Sequence, residues 1–166
     1  MMQLLITRSD IAQYRQISKT PNTDKLNEMI LDAQIQDMAP LLGEKLYNKI
    51  ISAPEEYTEL MDGGTYNYKG ETYTNYGLKM MLSYFAYARH IMFSSVTDTP
   101  YSVVEKLNDS SRTADASAKK AIYTLNRDNA LKIWENVKNY LVRTSHSDFD
   151  CKGSSTPQRL RFTKIG

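Results

Sequence analysis

Few side chains in this sequence belong to the types that carry chemistry, and their spacing suits it poorly. The histidines are His90 and His146, and the cysteine is Cys151. His146 and Cys151 are close enough in sequence to be a thiol with its base, or part of a metal site. They fall in a stretch rich in Ser, Asp, Lys and Gly, however, and catalysis needs rigidly placed groups. A solvated or packed cysteine is the better reading. Asp24, Glu28 and Asp32 are spaced i, i+4, i+8, which puts three carboxylates on one helix face. Such a row could attract a divalent cation. A helix face does not wrap an ion, so a solvated face, or one meeting a basic partner, fits better. Arg89 and His90 sit inside an apolar run, where polar groups either find a carboxylate or reach for the surface. There is no Gly-rich phosphate loop, no GxSxG and no HExxH, and Gly63-Gly64 lacks the Lys and Ser/Thr of a P-loop. The expectation is a non-enzymatic chain with no catalytic residue, no metal and no cofactor.

Charge and aromatic content point toward contacts instead. The net charge is +2. From Ser145 onward the chain carries Lys152, Arg159, Arg161 and Lys164 against Asp148 and Asp150, so the excess lies in the tail. A few cations give little counterion-release binding to DNA, and an acidic protein surface is the better partner for them. Twelve residues are Tyr against four Phe, and Tyr suits surfaces that are wet before assembly and buried after it. Tyr66, Tyr68, Tyr73, Tyr101, Arg159, Arg161, Phe162 and Lys164 are therefore the candidate partner residues. One cysteine allows no internal disulfide. The apolar run Leu4, Leu5 and Ile6 is too short for a secretory signal. The best candidate for a membrane span, 78–96, contains Lys79, Arg89 and His90, so a soluble chain is expected.

These residues must be positioned mainly by helices. Thr7 and Asp10 have capping-box spacing before a short helix at 8–14. Asn22 is a candidate N-cap for a helix starting near Thr23, with Leu26, Met29, Ile30 and Ala33 as its stripe. Pro40 is expected to interrupt or kink that helix. A second segment carries Leu42, Leu46, Tyr47 and Ile50, and Pro54 opens a third. Tyr66, Tyr68 and Tyr73 around Lys69-Gly70-Glu71 predict a small β-hairpin at about 65–74. Residues 75–96 are apolar nearly all round, the mark of a central helix packed on two faces. Residues 97–112 read as a polar loop or arm. A long amphipathic helix at about 113–143 carries Ala118, Ile122, Leu125, Asn129, Ile133, Val137 and Tyr140 as one stripe. From Thr144 the periodicity is lost, and 145–158 read as an extended linker. The closing Arg159-Leu-Arg-Phe-Thr-Lys-Ile alternates like a strand, and a lone strand needs an edge to pair with. The expected fold is a mainly α helical bundle at 1–144 with an extended basic tail at 145–166.

The strings themselves carry a resemblance. Ile30-Leu-Asp-Ala-Gln-Ile-Gln-Asp-Met-Ala-Pro-Leu-Leu-Gly-Glu-Lys-Leu-Tyr resembles the N-terminal half of head–tail connector (adaptor) proteins of tailed phages. Tyr68-Lys-Gly-Glu-Thr-Tyr-Thr-Asn-Tyr-Gly-Leu-Lys and Leu82-Ser-Tyr-Phe-Ala-Tyr-Ala-Arg-His-Ile are similar to a subgroup from phages and prophages of gut Bacteroidales, including crAss-like phages. Thr99-Pro-Tyr-Ser-Val-Val-Glu-Lys and the last eight residues fit the same subgroup. The resemblance implies a structural virion protein of the neck. It would form a ring, typically of twelve copies, below the portal protein. DNA would pass through the lumen without sequence-specific binding, and other neck or tail proteins would dock on the far face. A helical DNA-binding or packaging accessory module is the alternative, though it would need a basic recognition helix, and the helices here have balanced charge.

Overall fold

The computed structural model describes residues 3–19, 21–98, 103–105 and 115–149. Local chemistry starts the first two helices. Thr7 donates its backbone N–H and its hydroxyl to the Asp10 carboxylate, at 2.7 and 2.8 Å, at the head of α1 (Arg8–Tyr14). Asn22 accepts the Lys25 N–H at 3.1 Å and caps α2 (Thr23–Asp32). Pro40 does not break the chain there. The helix widens into a π turn (Ala33–Met38) and resumes as α3 (Ala39–Leu42), with the proline in its first turn. A wider turn relieves the clash that a proline ring makes with the preceding turn of a regular helix. Gln34 lies buried in the π turn. Its Oε1 accepts the Leu5 N–H at 2.7 Å, and its Nε2 donates to the Gln3 carbonyl at 3.1 Å. One amide thereby serves as strand partner to the N-terminal segment, whose Leu5 and Ile6 enter the core.

After Gly43 come α4 (Glu44–Ser52), a 3₁₀ turn (Pro54–Tyr57) and α5 (Thr58–Asp62). The expected hairpin follows as antiparallel β1 (Gly64–Tyr68) and β2 (Glu71–Asn75), with Tyr66 opposite Tyr73. Lys69 and Gly70 form its turn with φ of 53° and 84°, the two left-handed residues that a tight hairpin turn requires. The hairpin's neck is narrow. Gly63 and Gly77, with φ of 80° and 81°, touch backbone to backbone, so a Cβ on either would collide with main-chain atoms. Asn75, buried beside them, donates to the Glu59 carbonyl at 2.9 Å and accepts the Gly77 N–H at 3.1 Å.

The neck delivers the chain into α6 (Leu78–Phe93), the central helix, which contacts α1, α2, α5 and α7. Leu78, Met81, Leu82, Phe85 and Ala86 are buried along it. Leu26 and Ile30 from α2 and Ile11 from α1 belong to the same core. α7 (Ala116–Arg143), capped by Asp115, adds Ala130, Ile133, Trp134, Val137 and Leu141. Lys119 donates to Ser95 at one end of this pair of helices, and Asn136 bonds Thr74 and Tyr76 at the other, so α6 and α7 run antiparallel. Between them, the stretch expected to be a polar loop contains two three-residue strands, β3 (Val96–Asp98) and β4 (Val103–Glu105), paired antiparallel. The β-branched Val96, Thr97, Val103 and Val104 favour extended backbone and outweigh the polar average of that region. The fold is mainly α, with a long final helix and the small hairpin. No helix among the described residues is long and apolar enough to cross a membrane.

The neck is the most sensitive joint. Gly77→Ala combines a conformation that essentially only glycine adopts with backbone collision. Gly70→Ala has the positive φ but open space around it, and is expected to cost about 1 kcal/mol. Urea denaturation should show Gly77→Ala destabilising the chain clearly more than Gly70→Ala. Equal midpoints would contradict the neck's role.

Candidate functional site

Among the described residues singled out for chemistry, two of the sets meet. A cleft of about 480 Å³ opens between α2 and the C-terminal end of α6, lined by residues that include Glu28, Met29, Asp32, Arg89, His90 and Phe93. The acidic row and the Arg89-His90 pair thus share one cavity. Arg89 has its carboxylate: its Nε lies 2.7 Å from Asp37 Oδ2, and its Nη2 donates to Gln36 Oε1 at 3.2 Å. Both charged side chains are largely buried, a setting in which removing one partner costs much more than an exposed pair would. Burial, and less so the nearby Lys25, holds the His90 imidazole below its ordinary pKa of 6.5. Its Nδ1 is buried without a hydrogen-bond partner. Phe93 is 46% exposed at the cleft rim, and Met29 gives a second apolar surface. In sequence Met29 reads as part of an apolar stripe, and Phe93, Gln36 and Asp37 are not singled out. The exposed Phe93 has no signal in an apolar run that periodicity assigns to the core.

His146 lies in a second feature. The chain beyond α7 does not run out as a linker at once. Residues 144–149 turn back onto α4, where Asp148 Oδ1 lies 3.0 Å from Lys45 Nζ and 2.8 Å from Lys49 Nζ. Phe149 packs edge-on against Trp134, with ring centroids 6.0 Å apart, and His146 faces Tyr57 at 5.9 Å. The bonds to Lys49 and Lys45 lower the Asp148 pKa to about 2. His146 is pushed below its ordinary value, chiefly by burial. This latch depends on Trp134 and on two lysines one helical turn apart. Neither is adjacent in sequence, so composition alone reads the segment as a linker. Cys151 lies outside the described residues.

Tyr66, Tyr68 and Tyr73, expected to meet a partner, meet α7 first. Arg143 donates to the Tyr66 hydroxyl at 3.1 Å, and its guanidinium lies 4.1 Å from the Tyr73 ring centroid and 5.6 Å from that of Tyr68. Tyr140 meets Tyr66 edge-on at 5.0 Å. Asn136 donates to the Thr74 carbonyl at 3.0 Å and accepts the Tyr76 N–H at 2.9 Å. The three tyrosines are half-buried, so they anchor the hairpin while part of each remains available. Tyr101, Arg159, Arg161, Phe162 and Lys164, and the strand-like segment that holds the last four, lie outside the described residues.

The stripe of α7 is buried for only part of its length. Ile133 and Val137 are in the core, but Ile122 is 38% and Leu125 60% exposed. Among the described residues, no group of three or more His, Cys, Asp or Glu could hold a metal ion.

Over residues 38–159 the chain matches DUF6712, a family of unknown function. It belongs to that family. The DUF6712 match takes in the hairpin, α6, α7 and the latch, while α1 and α2 precede it. No curated protein and no solved structure matches the chain.

Both histidines give stability a pH dependence. An imidazole held below its ordinary pKa is neutral in the fold and binds a proton more readily once unfolded. Its contribution is intact above about pH 6.5 and is lost as pH falls through the lower folded-state value. Asp148 acts in a more acidic window, from its ordinary 3.8 down to about 2. Melting temperature is therefore expected to drop as pH falls from about 7.5 to 5, and the variant His90→Gln, His146→Gln should show a flatter profile. Parallel profiles would contradict the assignment.

Proposed function

We propose that the chain is a structural subunit of a head–tail connector ring in a tailed phage, placed below the portal protein and surrounding the DNA channel. The phage neck is supported by the similarity of the long strings at 30–47, 68–79 and 82–91 to connector proteins. The physical observation that carries a subunit role is the long helix α7, whose apolar stripe continues past the core as exposed Ile122 and Leu125. An apolar stripe left in water on a rigid helix favours association, at roughly 25 cal/mol for each Å² removed from solvent. In a ring every copy presents two different surfaces, each meeting the other on a neighbour. The N-terminal half of α7 is one such surface, and the neighbouring copy covers it. The work of such a subunit is to hold shape: it docks on the portal, accepts tail components and leaves DNA untouched by base-specific contacts. It performs no reaction, needs no cofactor and sits at the neck of the virion after assembly in the host cytoplasm.

Co-expression with the portal protein encoded in the same genome tests the reading. A complex containing a ring of this chain is expected in electron micrographs. Ile122→Asp with Leu125→Asp should leave the helical circular dichroism unchanged, since both sites are exposed, while reducing ring formation at least tenfold. A portal that emerges alone, or a double variant that still forms rings, would contradict the proposal.

A further inference from the structure

The cleft between α2 and α6 combines apolar and acidic side chains in its lining. Met29 and the half-exposed Phe93 supply the apolar part, and Glu28 and Asp32 stand along its α2 wall. Asp24, one turn earlier, extends the acidic row on the exposed face. Arg89 is neutralised by Asp37, and burial disfavours the charged form of His90. Lys25 is the remaining cation at the lining. An occupant for such a groove should be short, should alternate apolar with basic side chains, and should be able to arrive from outside the bundle.

The chain carries one segment of that description. Arg159-Leu-Arg-Phe-Thr-Lys-Ile places Leu160 and Phe162 between Arg159, Arg161 and Lys164. In extended form it would put Leu160 and Phe162 on one side and the two arginines on the other. We propose that this segment docks in the α2–α6 cleft of a second copy, with Phe162 against Phe93 and Met29 and its arginines facing Glu28 and Asp32. Source and site are far apart within one chain. The latch holds Phe149 on Trp134, near the hairpin end of the α6–α7 pair, whereas the cleft lies at the opposite end. The twelve-residue step along α6 from Leu78 to His90 alone spans about 18 Å. The thirteen-residue step from Phe149 to Phe162 reaches at most about 45 Å when fully extended. Docking in the chain's own cleft would take the segment around the body from one end to the other, a path that a neighbour's cleft does not impose. The contact is head-to-tail by construction, so it links copies in series. The proposal concerns the purified chain alone and stands or falls independently of the portal.

The test uses the full chain with Phe162→p-benzoylphenylalanine, mixed with an affinity-tagged wild-type copy and irradiated. A cross-linked dimer is expected, with attachment mapped by mass spectrometry to Met29 or Phe93 of the tagged copy. Glu28→Lys with Asp32→Lys in the tagged copy should lower the yield at least fivefold. Arg159→Glu with Arg161→Glu in the probe copy should do the same, and pairing the two variants should restore most of the cross-link. That restoration cannot come from a misfolded acceptor. Attachment elsewhere, a cross-link confined to one chain, or a yield indifferent to the charge changes would overturn the proposal.

Discussion

The structure depends on one requirement: α6 is apolar on nearly every side and must be covered on all of them. Leu78, Met81, Leu82, Phe85 and Ala86 leave it no face that water could solvate without loss. α7 covers one side, while α1 and α2 lie across others. The remaining elements follow from that arrangement. The N-terminal segment folds back to add Leu5 and Ile6, and α5 places Leu60 and Met61 beneath the hairpin neck. Hydrophobic burial is non-directional, so it explains the collapse onto α6 but not the angles at which the elements meet.

Those angles are set by side chains standing in for backbone. Gln34 bonds the main chain of Gln3 and Leu5, Asn75 ties the neck to α5, and Asn136 ties the hairpin's far edge to α7. Gln34 and Asn75 are buried, and leaving a buried polar group unmet costs about 1–3 kcal/mol. Asp148 plays a similar part with charge, pinning the chain to α4 where α7 ends. The joints are thus specific, while the surfaces between them keep Ile122, Leu125 and Phe93 in water. A subunit that must hold its shape and still offer contacts to neighbours has use for that division.

Local chemistry was legible from the residues: the Thr7–Asp10 box, the Asn22 cap, the tyrosine hairpin around Lys69-Gly70, and the two long helices with their apolar stripes. Each depends on neighbours within a few positions. What escaped depends on distant partners. Pro40 signals an interruption, but whether the helix breaks or widens is decided by Gln34, whose buried amide has its partners some thirty residues away. The latch needs Trp134 and the α4 lysines, and the cleft needs α2 to lie across the end of α6. The α7 stripe reads alike along its length, since periodicity reports which residues share a face and not where the covering element stops. Of the candidate partner residues, the three hairpin tyrosines are accounted for in part by Arg143 and Tyr140.

The proposed role joins these features: a rigid helical body, an exposed continuation of the α7 stripe, and a basic terminal segment matched in character to an acidic, apolar cleft. The most direct measurement is a reconstruction of the intact phage particle at a resolution that traces side chains in the neck. The expected result is this chain as a closed ring around the DNA channel beneath the portal, with the N-terminal half of α7 covered by the adjacent copy. Finding the chain elsewhere in the particle, absent from it, or present as isolated monomers with that stripe open to solvent would contradict it.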